Sequence, residues 1–279
     1  MISLLIRITY LTILSMKRLF KIYRHVLYFF ALPIFVSSFF RPAVGKEYDV
    51  GFWKKISLVR SFRKTIRSIP SASDWLEHLA MAERILLIPR SVEGGVIECG
   101  AYKGASTANL SRACVLTGRT LYVADSFEGL PEPVEEDRYH LQEVKGKHKE
   151  YRKGDYAGAF EEVKQNIRRH GDIQCCEFIR GYYENTLAGL KDKKLVFVFL
   201  DVDLNDSLKT CCKYLWVGLE GGCFLFSHEA QDLAFVSHFF NQAWWQEHLK
   251  TDAPGFIGAG TGLPLGIAYG SAIGYTVKK

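Results

Sequence analysis

The sequence predicts an α/β fold: a Rossmann-like doubly wound, mostly parallel sheet of seven strands, preceded by an N-terminal helical extension. Three observations carry this. From residue 94 onward, short runs rich in β-branched and aromatic residues alternate with amphipathic runs of helical length, the pattern of parallel sheets. The run KLVFVFLDVD (Lys194–Asp203) is apolar without alternation, as a strand buried on both faces must be. The 279 residues are 48% hydrophobic and 24% charged, enough for one such domain with an added segment and unlike a disordered, collagen-like or coiled-coil chain.

In chain order, Ser71 and Ser73 are N-cap types ahead of the helix Asp74–Ile88, which Pro89 closes. GGVIECG (Gly94–Gly100) is a short buried strand, and Gly104–Gly118 a helix ended by its final glycine. Thr120–Ser126 is a strand, and the polar stretch Phe127–Asp155 has weak periodicity. Ala159–Gly171 is a helix, Ile173–Gly181 a strand, Lys194–Asp203 the strong strand, Ser207–Leu219 a helix and Gly221–Glu229 a strand. Asp232–Leu249 reads as a single helix, and Gly266–Lys279 as the final strand. The glycine-rich run Gly255–Gly266 is too irregular for a phosphate loop. No internal repeat or low-complexity linker interrupts residues 71–279, which form one domain.

Charge divides the chain at about residue 70. Residues 1–70 hold 13 Lys and Arg against Glu47 and Asp49, a local charge of +11, whereas the remainder carries −5. A nucleic-acid enzyme needs positive charge on its folded body, so that class of partner is excluded. The basic part is also the most apolar. Met1–Met16 and Val26–Phe40 flank Lys17, Arg18, Lys21 and Arg24, and KKISLVRSFRKTIR (Lys54–Arg67) follows. Val26–Phe40 contains Pro33 and falls short of the roughly 20 residues of a spanning helix. The expectation is an amphipathic anchor on an anionic membrane surface, through residues 1–67. A short spanning helix, or an extension packed on the domain or on a second copy of the chain, are the alternatives. Seven cysteines without a C-x-x-C pair leave neither a zinc ribbon nor a thioredoxin-like site. They fit a reducing, cytoplasmic compartment.

In a doubly wound sheet, ligands bind beyond the carboxyl ends of the strands. The first such end reads VIECGAYKGAS (Val96–Ser106), which is glycine-bearing but not the dinucleotide pattern. Gly100 and Gly104 permit close approach of a ligand to the backbone, and Glu98 offers a carboxylate to an amino group. Asp125 ends the second strand, where an acid accepts both hydroxyls of a ribose. A ligand with an amino group, a sulfonium charge and a ribose but no phosphate is S-adenosylmethionine.

VIECGAYKG followed by VADSFEGLPEP (Val123–Pro133) resembles the macrocin O-methyltransferase family of class I S-adenosylmethionine-dependent enzymes. GYYENTL (Gly181–Leu187), FLDVDLNDSLK (Phe199–Lys209) and the strand Gly221–Phe226 resemble its later segments. The resemblance implies methyl transfer to a hydroxyl, on a glycosyl or other secondary-metabolite acceptor. It also brings Tyr102, Ser106, Ser126, Phe127, Gly181, Tyr182, Tyr183 and Asp201 to the cofactor side. Family members hold Mg²⁺ through an Asp ending the fourth strand and an acidic pair ending the fifth. Asp201 matches the first position. The fifth strand here reads FLFSHEAQD (Phe224–Asp232), so the pair is replaced around Ser227–His228, where His228 offers a nitrogen and Glu229 or Asp232 an oxygen. Either Asp201, His228 and Glu229 hold a divalent metal, Mg or Mn, or His228 is itself the general base.

His140 and His148 lie in the polar stretch expected to cover the acceptor pocket, and Phe239, Phe240, Trp244 and Trp245 read as core. Two rival functions remain: a membrane-anchored glycosyltransferase using Asp201-Val202-Asp203 as a D-x-D metal motif, and a non-catalytic scaffold of the same fold. The first leaves VIECGAYKG and Asp125 without a role.

Overall fold

The computed structural model describes residues 36–137, 139–142, 147–259 and 271–279, with isolated positions between 19 and 33; side chains are described outside 138–149. Nothing of Met1–Met16 falls within it. The strands β1 (Gly95–Cys99), β2 (Leu121–Asp125), β5 (Cys176–Arg180), β6 (Leu195–Leu200), β7 (Leu219–Ser227) and β8 (Gly274–Val277) form one sheet in the order β5-β2-β1-β6-β7-β8. All neighbours are parallel except β7 and β8. Seven strands were expected; six form this sheet among the described residues, and residues 266–270 of the expected final strand lie outside them. The polar stretch folds separately, as an antiparallel pair of β3 (Tyr139–Gln142) and β4 (Lys147–Glu150).

From residue 52 onward the helices of six or more residues are α1 (Phe52–Ser68), α2 (Trp75–Leu87), α3 (Ala105–Thr117), α4 (Phe160–His170), α5 (Asn205–Gly218), α6 (Leu233–His238) and α7 (Gln242–Leu249). Two differ from expectation, each because of a capping side chain. The N-cap of α2 is Asp74 rather than a serine. Its carboxylate accepts the Leu76 N–H, while Glu77 accepts the Asp74 N–H at 2.7 Å, a capping box. The single helix expected over Asp232–Leu249 is two, because Asn241 accepts the Trp244 N–H and starts α7 afresh.

Every residue of β1 and β6 is buried, so the middle of the sheet is covered on both faces. Phe197, Phe226 and Tyr275 stack across β6, β7 and β8 at 5.2 and 5.0 Å. The core continues into the extension: Phe39, Val44, Leu58 and Phe62 join the same cluster as the sheet. Lys55, Leu58, Phe62 and Thr65 form the buried face of α1, at the spacing of one helical stripe. All seven cysteines are free, five of them buried. Trp245 and Phe239 are core, whereas Phe240 is exposed. No helix among the described residues is long and apolar enough to cross a membrane.

Chain order departs from β1 in opposite directions, to β2 and β5 on one side and to β6 and β7 on the other. The boundary between β1 and β6 is therefore the switch point at which such sheets open a ligand crevice.

Candidate active site

A cleft of about 240 Å³ opens at that switch point. Its floor is the turn from β1 into α3. Gly100 has φ 92° and Gly104 φ 81°, conformations that favour glycine. A Cβ on Gly100 would fall inside contact distance of the Asp201 carbonyl oxygen, so glycine here lets the ends of β1 and β6 touch. Asp125 fastens the same turn. One carboxylate oxygen accepts the N–H groups of Ala101 (2.7 Å) and Tyr102 (3.3 Å), and the other accepts the Phe127 N–H (2.6 Å). Burial pushes its carboxyl up, against the pull of these three bonds.

Gly100, Tyr102, Ser106, Asp125, Ser126, Gly181, Tyr182, Tyr183 and Asp201 all border the cleft. Three residues do not. Gly104, where a Cβ would meet Val163 and Ile167 of α4, faces away from it. Phe127 packs in the core against Phe160 and Phe178, its backbone alone meeting Asp125. Glu98 is fully buried and absent from the cleft wall, because alternation along β1 turns it beneath α3. Neither of its oxygens has a hydrogen-bond partner. Burial, foremost, raises its carboxyl to about 8, with the Ser106 and Thr107 hydroxyls pulling back without reaching bonding geometry. Glu98 is therefore a neutral acid at pH 7, not a carboxylate presented to an amino group.

The opposite wall is ionic. Leu200 pairs with Ser227 in the β6–β7 register, so the next residues, Asp201 and His228, emerge side by side. Asp201 Oδ1 lies 3.3 Å from His228 Nδ1, and Glu77 Oε2 lies 3.9 Å from Nε2. Burial works to lower the His228 value, but the charge of Asp201, its contact with the ring, and Glu77 and Glu229 outweigh it and hold it at about 10. The ring is an imidazolium at neutral pH. Behind it, His78 is buried and neutral, lowered to about 3 by desolvation and by His228, with its nitrogens on Ser73 and Asn109.

These residues do not fit a metal. Glu229 Oε1 accepts the N–H groups of Val202 (2.9 Å) and Asp203 (3.2 Å), and Oε2 pairs with the Ser227 hydroxyl. Both oxygens are turned onto the chain. His228 Nδ1 faces a carboxylate rather than an open coordination position. Among the described residues, no three His, Cys, Asp or Glu side chains gather as a metal site requires. The expected ligand set of Asp201, His228 and Glu229 for Mg or Mn is thus not assembled. The two aspartates of the D-x-D tripeptide also part company, since Asp203 accepts the Tyr151 hydroxyl at 3.0 Å while Asp201 faces His228.

Pro70–Ser73, Tyr151, Asp155, Tyr156 and Phe235 complete the cleft. The polar stretch contributes through Gly129, Leu130, Pro131, Tyr151 and Asp155, and Tyr156 follows it; the side chains of His140 and His148 lie outside the described residues. Glu77 was not legible as a site residue. In sequence it is the acid of a capping box, and it is that; its other oxygen accepts the Ala272 N–H from across the fold at 2.7 Å.

A glycine-turned strand–helix junction, an acid at the end of the adjoining strand and a cleft at the switch point define a doubly wound α/β domain with its crevice beyond the strand ends. The chain belongs to the macrocin O-methyltransferase (TylF) family, whose model matches residues 74–251. It is 33% identical over 139 residues to the 8-demethyl-8-(2,3-dimethoxy-alpha-L-rhamnosyl)-tetracenomycin-C 4'-O-methyltransferase of Streptomyces olivaceus, covering 48% of this chain and 52% of that one. It is 30% identical over 125 residues to the demethyldecarbamoylnovobiocin O-methyltransferase of Streptomyces niveus, covering 43% and 47%. The chain thus spans about half the length of the curated relatives it matches. Among solved structures, that of the O-methyltransferase NovP superposes with a TM-score of 0.58 at 18% identity, over 80% of this chain and 97% of that one, a likeness of fold.

Proposed function

We propose that the protein is an S-adenosylmethionine-dependent O-methyltransferase acting on a hydroxyl of a glycosyl or secondary-metabolite acceptor. The observation that carries this is the two-sided cleft, with a backbone-lined glycine turn and Asp125 on one wall and the Asp201–His228 pair on the other. Membership of the family and the names of its relatives support the reaction and the acceptor class.

The cofactor, when bound, supplies an activated methyl group on a sulfonium. The residues around the turn fit it: Gly100 brings bare backbone to the cleft, and Asp125, with three of about four acceptor positions in use, keeps one for a ribose hydroxyl. Tyr102 and Tyr183 wall the space and exclude water. The protein's remaining task is to align the acceptor oxygen and relieve it of its proton.

His228 is ill suited to take that proton, because an imidazolium held at about 10 has no free lone pair at neutral pH. Asp201 is the acceptor in this reading: the hydroxyl O–H breaks, the proton passes to the Asp201 carboxylate, and His228 orients that carboxylate and supplies positive charge beside the forming alkoxide. No step runs through a metal.

The test is incubation of the full chain with methyl-labelled adenosylmethionine and a glycosylated-metabolite extract, alongside calorimetric titration with the cofactor. Cofactor binding with label in an ether product supports the reading. Binding of a nucleotide sugar instead would support the glycosyltransferase, and binding of neither the scaffold.

A further inference from the structure

The methyl-transfer chemistry leaves the basic, apolar extension without a role, and α1 carries a surface that the cleft does not use. Five of its exposed residues, Trp53, Ser57, Arg60, Lys64 and Arg67, fall on a single stripe, spaced by three and four and opposite the buried face of Lys55, Leu58, Phe62 and Thr65; Lys54 and Arg63 are exposed beside it. Trp53 is 79% exposed and Phe52 58% exposed. Their rings are in edge contact at 5.4 Å, with Phe40 beside Phe52 at 5.2 Å. Upstream, Ile22, Tyr23, Phe29 and Phe30 are exposed on helical positions. No Asp or Glu occurs between Val50 and Ser73, so nothing on α1 offsets its cations.

Exposed aromatics are unfavourable in water unless something covers them. A row of Arg and Lys with no acid between them is unfavourable against another basic surface. A second copy of this face would oppose cation to cation. A bilayer with anionic headgroups satisfies both halves, seating the rings at the headgroup level and the cations against phosphate and carboxylate. We infer that the Trp53–Arg67 stripe of α1, headed by Phe52 and Trp53, docks on an anionic lipid surface.

The experiment is vesicle flotation of the full chain, with phosphatidylcholine alone and with phosphatidylcholine plus phosphatidylserine. The native chain should float with the anionic vesicles, less so as salt rises, and stay down with the uncharged ones. The variant Arg60→Ser/Lys64→Ser/Arg67→Ser should partition about a hundredfold more weakly, each cation near an anionic surface being worth roughly fivefold. Trp53→Ser should weaken partition about tenfold while keeping the salt dependence. All four residues are exposed, and unchanged melting curves will verify the fold. Equal flotation of the triple variant and the native chain overturns the proposal. So does equal flotation on uncharged vesicles, or capture of duplex DNA in preference to anionic vesicles.

Discussion

The two walls of the cleft solve one problem, presenting a carboxylate at a strand end, in opposite ways. On the β2 wall, Asp125 accepts three backbone N–H groups of its own and the neighbouring loop and keeps one acceptor position. It is as much a clasp as a ligand. On the β6 wall, Asp201 faces an imidazolium, which is steadied in turn by Glu77 from α2 and by Glu229. The first arrangement is local and made of main chain. The second is assembled from three distant segments and made of charge. Binding surfaces built of backbone tolerate little change in chain geometry, while reactive surfaces built of charge tolerate little change in protonation.

The most disruptive way to break the contrast is at the point where the walls meet. Gly100→Ala should cost about 3–5 kcal/mol, from a left-handed φ and a Cβ driven into the Asp201 carbonyl. Thermal unfolding should register this as a fall of roughly 10 °C in Tm; a Tm unchanged from the native chain would show that the strand ends are not in contact.

Asp201→Asn removes the reactive wall alone. Turnover should fall at least about 100-fold, the range usual for proton transfer, with cofactor affinity retained. The same substitution takes away the charge that raises His228, so its NMR titration should move down from about 10 toward the ordinary histidine range. The sign can be checked in stability as well. A histidine raised in the folded state stabilises below its unfolded value and loses that contribution as pH climbs toward the folded one. The native chain should thus weaken between about pH 6.5 and 10, and Asp201→Asn should show less of this decline. Normal turnover in the variant would dismiss Asp201 as the proton acceptor. Full native activity in EDTA is expected alongside, and inactivation reversed by Mn²⁺ would restore the metal reading.

Asp125→Ala tests the other wall. Cofactor binding should weaken roughly 10- to 150-fold, the worth of a charge-assisted bond, and Tm should fall too, because three N–H groups lose their acceptor. Weakened binding without any change in Tm would mean that the clasp is dispensable. The smallest effect belongs to Glu98→Gln. Glu98 is sealed from the cleft and already neutral, so binding should change by less than about twofold. Its raised carboxyl makes the native chain lose stability as pH rises from about 4.5 to 8. The glutamine variant should lack that loss and melt higher at pH 8. A large drop in affinity would return Glu98 to the binding site.

Much of this was legible in one dimension wherever the cause is local. β6 announced itself because a strand buried on both faces needs an unbroken apolar run, and α3 ended at Gly118 because its left-handed cap favours glycine. Asp74 and Asn241 set helix starts by single side-chain bonds, which the eye passes over when serines or apolar residues stand nearby. The burial of Glu98 was not legible for a different reason: alternation says that it faces away from its neighbours, but not whether that face is ligand or helix.

The sequence by itself determined the alternation of strands and helices, the glycines at the β1 turn, the acids at strand ends and the split between a basic apolar extension and an acidic body. These follow from short-range sterics and from composition. Only the tertiary structure decided which acids are free to act. Glu77 comes from α2, His228 follows β7 and Asp201 follows β6, and their mutual charge exists only once those elements are packed. Electrostatic coupling depends on distance through space and on removal of water, and neither is written along the chain.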